Sequence, residues 1–283
     1  MNALKTAILL GALTGLLVGL GYAIGGPGMA IIALVFAGVM NMATYWFSDK
    51  LALRMAGAHE VTPQEEPGLH ALVEEVAILA GVPKPKVFVI ENESPNAFAT
   101  GRNPQHAVVA VTTGIQRILD RAELRAVIGH EMGHVKNRDI LISSIAATIA
   151  GAISYIQTML FFGAMFGGGR DRNNGLMALV AAIVAALAAA ILQMAISRSR
   201  EYQADLSGAE YTHDPAALAR ALAKLHNGVQ MRPMAQKAGA EATSSLYIVH
   251  PFRMEGGLGA LFATHPPIEE RIRRLRAMAG YVE

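Results

Sequence analysis

The sequence predicts a mainly α membrane protein, with four transmembrane helices plus a mostly helical α+β domain that carries a small β-sheet. Three observations lead there. Hydrophobic residues make up 53% of the chain and charged residues only 16%, against about 25% charged in ordinary soluble domains. The uncharged residues are gathered into two pairs of long tracts, and the segments between and after them have helix and strand periodicity.

No charged residue and no histidine lies between Lys5 and Asp49, and Gly25-Gly26-Pro27-Gly28 cuts this tract in the middle. Its halves, Thr6 to Ile24 and Met29 to Ser48, each approach the ~20 residues a helix needs to cross the hydrocarbon core. Residues 1–48 therefore predict a transmembrane hairpin with a tight turn. A cleaved signal peptide fits less well, since a second apolar segment follows at once.

The second pair occupies 140–197. Ile140 to Gly169 is uncharged, Arg170-Asp171-Arg172 interrupts, and Asn173 to Ser197 is uncharged again. A buried hairpin in a soluble core is the alternative, because Ala178 to Ala190 is rich in small residues that also suit close helix packing. If all four segments cross, Lys5, Lys50, Arg54, Lys136, Arg138, Arg198 and Arg200 fall on one side and Arg170 and Arg172 on the other. By the positive-inside rule the first side is cytoplasmic.

What remains, 49–139 and 198–283, predicts one discontinuous cytoplasmic domain. Thr62-Pro63 starts a helix that runs to Ala80-Gly81, with Glu65 and Glu66 near its positive end. Lys86 to Ile90 and His106 to Val111 read as strands flanking the short Ala97-Phe98-Ala99. Asp120 caps a helix through Asp139, and further helices fit Ser199 to Thr212, Pro215 to Asn227 and Pro266 to Ala279. Gly228 to Ala263 has no clear pattern and reads as a flap or loop.

A net charge of +2 with scattered Lys and Arg gives no basic face for nucleic acid. The absence of cysteine excludes disulfides, thiol catalysis and thiolate-bound metal, so a metal site must be built from His and carboxylates.

His130-Glu131-Met132-Gly133-His134 is an H-E-x-x-H pentad inside a helical pattern. Residues four apart on a helix project from one face, so both imidazoles can share one ion. Glu131 is turned aside, within reach of a metal-activated water as general base but not a natural ligand. Two helical histidines with a purely structural role are the plain alternative.

A catalytic zinc takes three protein ligands, and the candidate third is Glu201 in Arg198-Ser199-Arg200-Glu201-Tyr202-Gln203-Ala204-Asp205. Asp205, four residues on, can accept from the distal nitrogen of a ligating histidine and fix its orientation. Taken alone, this segment reads first as a solvated helix face. Topology favours the pairing, because the pentad helix enters the second hairpin and the Glu201 helix leaves it on the same side. Asn96-Ala97-Phe98-Ala99 can form a sheet edge to which substrate adds as a strand, or an ordinary core strand.

Taken in order, the two apolar tracts, Pro95 to Ala99, the pentad, the second pair of tracts, Arg198 to Asp205, Ser245 to Pro251 and Thr264-His265-Pro266-Pro267 with Arg271 and Ile272 resemble the HtpX-type membrane metalloproteases, relatives of the CAAX prenyl endopeptidases. The resemblance covers essentially the whole chain. It implies a zincin-like zinc endopeptidase of the bacterial inner membrane with its active site in the cytoplasm, acting in quality control of misfolded membrane proteins. It also implies that Glu201 is the third ligand and that His265 assists catalysis at the oxyanion. Without it, Thr264-His265-Pro266-Pro267 is explained by helix capping. The expected partners are protein substrates and the lipid bilayer, and nothing specifies an oligomeric state. A narrow prenyl-protein endopeptidase and an inactive membrane scaffold are the competing functional readings.

Overall fold

The computed structural model describes residues 2–147, 198–235, 243–252 and 266–280. The first element, α1 (Asn2–Ala56), is two helices joined at Gly25 (φ −144°, ψ 22°) and Gly26 (φ 68°, ψ −157°). A positive φ costs glycine little, which lets the chain reverse here. The two halves then pack against each other, with Asn41 Nδ2 donating to Thr14 Oγ1 at 2.8 Å and to Leu10 O at 3.3 Å. The chain thus reverses at the expected glycine turn, and the second helix runs past Ser48 to Ala56.

The segment Gly25–Ala56 is long and apolar enough to cross a membrane, and its most apolar stretch is only 11% buried. A core helix of a soluble protein would hide that surface, whereas here Ile31, Val35, Val39 and Met42 are more than half exposed. Among the described residues it is the one helix that meets this length and composition test. The second expected pair of spans lies outside the described residues from 148 onward, while residues 140–147 are helical.

The rest is a mostly helical body on a small mixed sheet. Strands β1 (Ala58–Glu60), β2 (Lys86–Ile90), β3 (Ala97–Gly101) and β4 (Ala107–Thr112) lie in the order β1-β2-β4-β3. After β2 the chain passes to the far edge as β3, then returns as β4 between them, antiparallel to β3 and parallel to β2. Ala97 pairs with Val111 and Ala99 with Val109. Side chains alternate between two apolar clusters, as strand geometry requires. Val87, Val89, Val109 and Val111 join the main core, and Ile90, Phe98, Val108 and Ala110 join Ala52, Leu53, Ala147 and Tyr247 on the other face.

The helices are α2 (Pro67–Ala80), α3 (Thr113–Ile118), α4 (Arg121–Lys136), α5 (Arg198–Thr212), α6 (Pro215–Met231) and α7 (Ile268–Met278). One core cluster draws on residues from both sides of 148–197, with Val127, Ile128 and Met132 of α4 beside Leu218, Leu222 and Leu225 of α6 and Leu275 of α7. Two local expectations change. The helix expected from Thr62 begins at Pro67, because Thr62 and Glu65 exchange hydrogen bonds in a preceding turn (Thr62 N to Glu65 Oε2, 2.7 Å) and Pro67 takes the first helical turn. Of the expected flap, 228–231 continue α6 and Leu246, Tyr247, Ile248 and Val249 are buried in the core.

Candidate metal centre

Helix α4 starts on a capping box, with the Asp120 side chain accepting from Glu123 N and the Glu123 side chain accepting from Asp120 N. It carries the pentad through the middle of the molecule, where His130 and Glu131 are essentially inaccessible. The two imidazoles meet edge to face, their Nε2 atoms 3.2 Å apart. Helix α5 crosses α4 at a contact made of small residues. A Cβ at Gly208 would sit 2.6 Å from His130 N, and one at Gly133 would sit 3.1 Å from Ala204 Cα. That close approach delivers Glu201, whose Oε1 lies 3.5 Å from His134 Nε2 and whose Oε2 lies 3.9 Å from His130 Nε2. One potential donor atom from each of His130, His134 and Glu201 falls within 4.8 Å of the others, so this buried group can bind a metal ion.

Each imidazole has a carboxylate behind it. Asp205 Oδ1 is 2.9 Å from His130 Nδ1, and Asp139 Oδ2 is 3.4 Å from His134 Nδ1. Such partners fix ring angle and tautomer and leave Nε2 facing the ion. Asp205 is gripped in turn by the fully buried Arg271, which donates through Nε at 2.8 Å and Nη2 at 2.7 Å and spends Nη1 on Ile248 O at 2.9 Å. Burial works against the Asp205 carboxylate, but the Arg271 charge and its two hydrogen bonds bring its pKa down to about 2.

Burial pushes the Glu131 carboxyl up to about 7; Glu201 adds to this, while His134 and the Ala99 amide oppose it. Glu131 Oε1 is buried with no hydrogen-bond partner, so one oxygen of this carboxylate stays available to a reactant. Burial lowers His130, partly offset by Asp205. For His134 burial is outweighed by the Asp139 hydrogen bond and the charges of Glu201 and Glu131, which lift it to about 9. A bound dication reverses that sense, because a ligating imidazole is neutral.

The β3 edge lies beside Glu131, but its residues are used unequally. The Asn96 side chain donates to Val249 O at 2.7 Å, Ala97 O accepts from Ile248 N at 3.0 Å, and the Phe98 ring packs edge-on to Tyr247 at 5.1 Å. The Ala99 backbone is left as the part of the edge that touches Glu131. His265 lies outside the described residues.

Asp139 and Arg271 are site residues to which the sequence reading gave no role. Asp139 could have been found, since it follows the pentad helix directly and Arg138, at φ 57°, turns the chain back toward His134. Arg271 is one of four arginines in α7, and only its four-residue offset from the buried Leu275 separates it from the others.

Residues 63–279 match the model of peptidase family M48. A protease HtpX homolog of Persephonella marina is 52% identical over 99% of this chain and 98% of its own length. The corresponding figures are 49%, 97% and 98% for one of Syntrophobacter fumaroxidans, and 50%, 98% and 96% for one of Thermococcus kodakarensis. The crystal structure of S. mikatae Ste24p superposes with a TM-score of 0.50 over 96% of this chain and 67% of that one, at 19% identity, which speaks to fold alone. With the pentad, the carboxylate helix and full-length relatives in agreement, the chain belongs to peptidase family M48 as an HtpX-type metalloprotease.

Proposed function

We propose that this protein is a membrane-integrated zinc endopeptidase in which His130, His134 and Glu201 hold the metal and Glu131 is the general base. The observation that carries this reading is the spacing of the donor groups, 3.2 Å between the imidazoles, 3.5 Å from His134 to Glu201 Oε1 and 3.9 Å from His130 to Glu201 Oε2. Tetrahedral ligands bound to zinc at ~2.0–2.1 Å stand about 3.3–3.4 Å from one another. Two imidazoles and one carboxylate are also a donor set of catalytic zinc sites, which leave one position for water or substrate. When bound, zinc supplies an acidified water and a Lewis acid for the scissile carbonyl.

The protein's own groups handle orientation and protons. Asp205 and Asp139 hold the two rings from behind, and Arg271 keeps Asp205 ionised and in place. Glu131 takes the proton from the attacking water and returns it to the leaving amine, a task for which its buried, unpartnered Oε1 is available. The Ala99 backbone offers an extended substrate one strand-like contact beside that carboxylate. His265 acts at the developing oxyanion.

Residues 49–139 and 198–283 form one discontinuous cytoplasmic peptidase domain, preceded by the membrane hairpin 1–48 and interrupted by the membrane hairpin 140–197. The exposed, apolar Gly25–Ala56 helix supports membrane insertion, and the resemblance described above implies the bacterial inner membrane. The substrates are misfolded membrane proteins and the role is quality control, as the resemblance described above implies; the relatives' names carry protease activity alone. Casein cleavage by purified protein, abolished by a chelator and restored by zinc, tests the reading. Cleavage that persists after complete metal removal contradicts it.

A further inference from the structure

The foot of the membrane-length helix and the β3–β4 turn touch at a cation and an aromatic ring. The Arg102 guanidinium lies 4.7 Å from the Trp46 ring centroid, and Lys50 Nζ lies 5.6 Å from that of Phe47. Trp46, Lys50 and Arg54 follow at four-residue intervals, so they share one face of α1. Trp46 is 47% and Phe47 57% exposed, at the end of the uncharged tract that closes at Ser48.

The cations here are treated differently from their neighbours. Every other Lys and Arg between 58 and 125 has a carboxylate: Lys84 on Glu74, Lys86 on Glu60, Arg117 on Glu93, and Arg121 and Arg125 both on Glu75. Lys50, Arg54 and Arg102 have none among the described residues, a feature shared outside that stretch by Lys136, which lies over the Tyr211 ring. The adjacent Asp49 turns its Oδ1 to the Lys50 backbone amide at 2.8 Å. Exposed aromatic rings with unpaired cations at the end of an apolar helix match the lipid–water boundary, where indole rings sit at headgroup level and basic side chains meet anionic lipid.

We propose that Trp46, Lys50, Arg54 and Arg102 form a docking patch for anionic phospholipid headgroups, which seats the β3–β4 turn on the membrane surface. The proposal rests on the membrane reading above and extends it to the peptidase domain. Strand β3 ends at Gly101, next to Arg102, and begins at Ala97, two residues from the Ala99 backbone that meets Glu131. From Ala99 to Arg102 is three strand steps, on the order of 10 Å. The patch therefore fixes one end of the substrate edge at the lipid surface, and a polypeptide paired along that edge enters from the bilayer.

Trp46 is the single tryptophan, so indole emission reports this patch alone. The full-length protein in nanodiscs would be compared with phosphatidylglycerol and with phosphatidylcholine, each brominated near the headgroup end of the acyl chain, at equal mole fraction. Brominated phosphatidylglycerol is expected to quench more strongly, with a preference of up to about fivefold per cation. High salt and Arg102→Gln should both reduce that preference while casein cleavage persists. Equal quenching by the two lipids overturns the docking patch and leaves the membrane reading standing. No quenching by either overturns the membrane reading itself.

Discussion

Arg271 holds both carboxylate oxygens of Asp205, at 2.7 and 2.8 Å, in a site from which solvent is excluded. Since Asp205 in turn holds His130 Nδ1 at 2.9 Å, a side chain near the end of the sequence orients a metal-facing ring in the middle of it. Replacing Arg271 with Met strands the Asp205 charge, and breaking a buried pair in this way costs about 3–5 kcal/mol. Zinc affinity is expected to fall about 10–100-fold as the ring loses its support. Arg271→Lys restores charge but not the two parallel bonds, so its affinity should be intermediate. Zinc titration of the folded variants checks this, and wild-type affinity in Arg271→Met would limit the network to folding.

The α4–α5 crossing makes a second prediction. Gly208→Ala would put a methyl 2.6 Å from His130 N and 2.9 Å from His130 Cα, both backbone atoms that cannot swing aside. The helices must separate, at a cost of about 1–3 kcal/mol, and Glu201 moves with α5. A lowered melting temperature together with weaker zinc binding is expected. Loss of stability with unchanged zinc affinity would show that Glu201 tolerates the shift.

Glu131→Gln keeps the shape of the site and removes its proton acceptor. Bound zinc should be retained while casein cleavage drops by at least ~10²–10⁴-fold, the usual contribution of a general base. Substantial residual cleavage at full zinc occupancy would assign the proton transfer to another group.

Local signals carried the sequence reading where local chemistry decides structure. Gly25-Gly26 marks the hairpin turn, Asp120 marks the start of α4, and valine-rich runs mark β2 and β4. The His130/His134 face follows from helix periodicity alone. Contacts made at long range were not legible. Nothing local shows that Leu246 to Val249 packs against β3, that Asn96 spends its amide on Val249, or that Arg271 is buried while Arg273 and Arg274 stay exposed. Helix α2 starts later than Thr62-Pro63 with Glu65 and Glu66 suggests, because Thr62 and Glu65 close a turn ahead of Pro67.

The convergence of Glu201 with the two histidines is tested most directly by metal analysis of purified wild-type and Glu201→Gln protein, prepared side by side without chelator. One zinc per wild-type chain is expected, with occupancy sharply reduced in the variant and casein cleavage lost in parallel. Full zinc occupancy in folded Glu201→Gln protein would contradict the proposed ligand set and move the third ligand elsewhere.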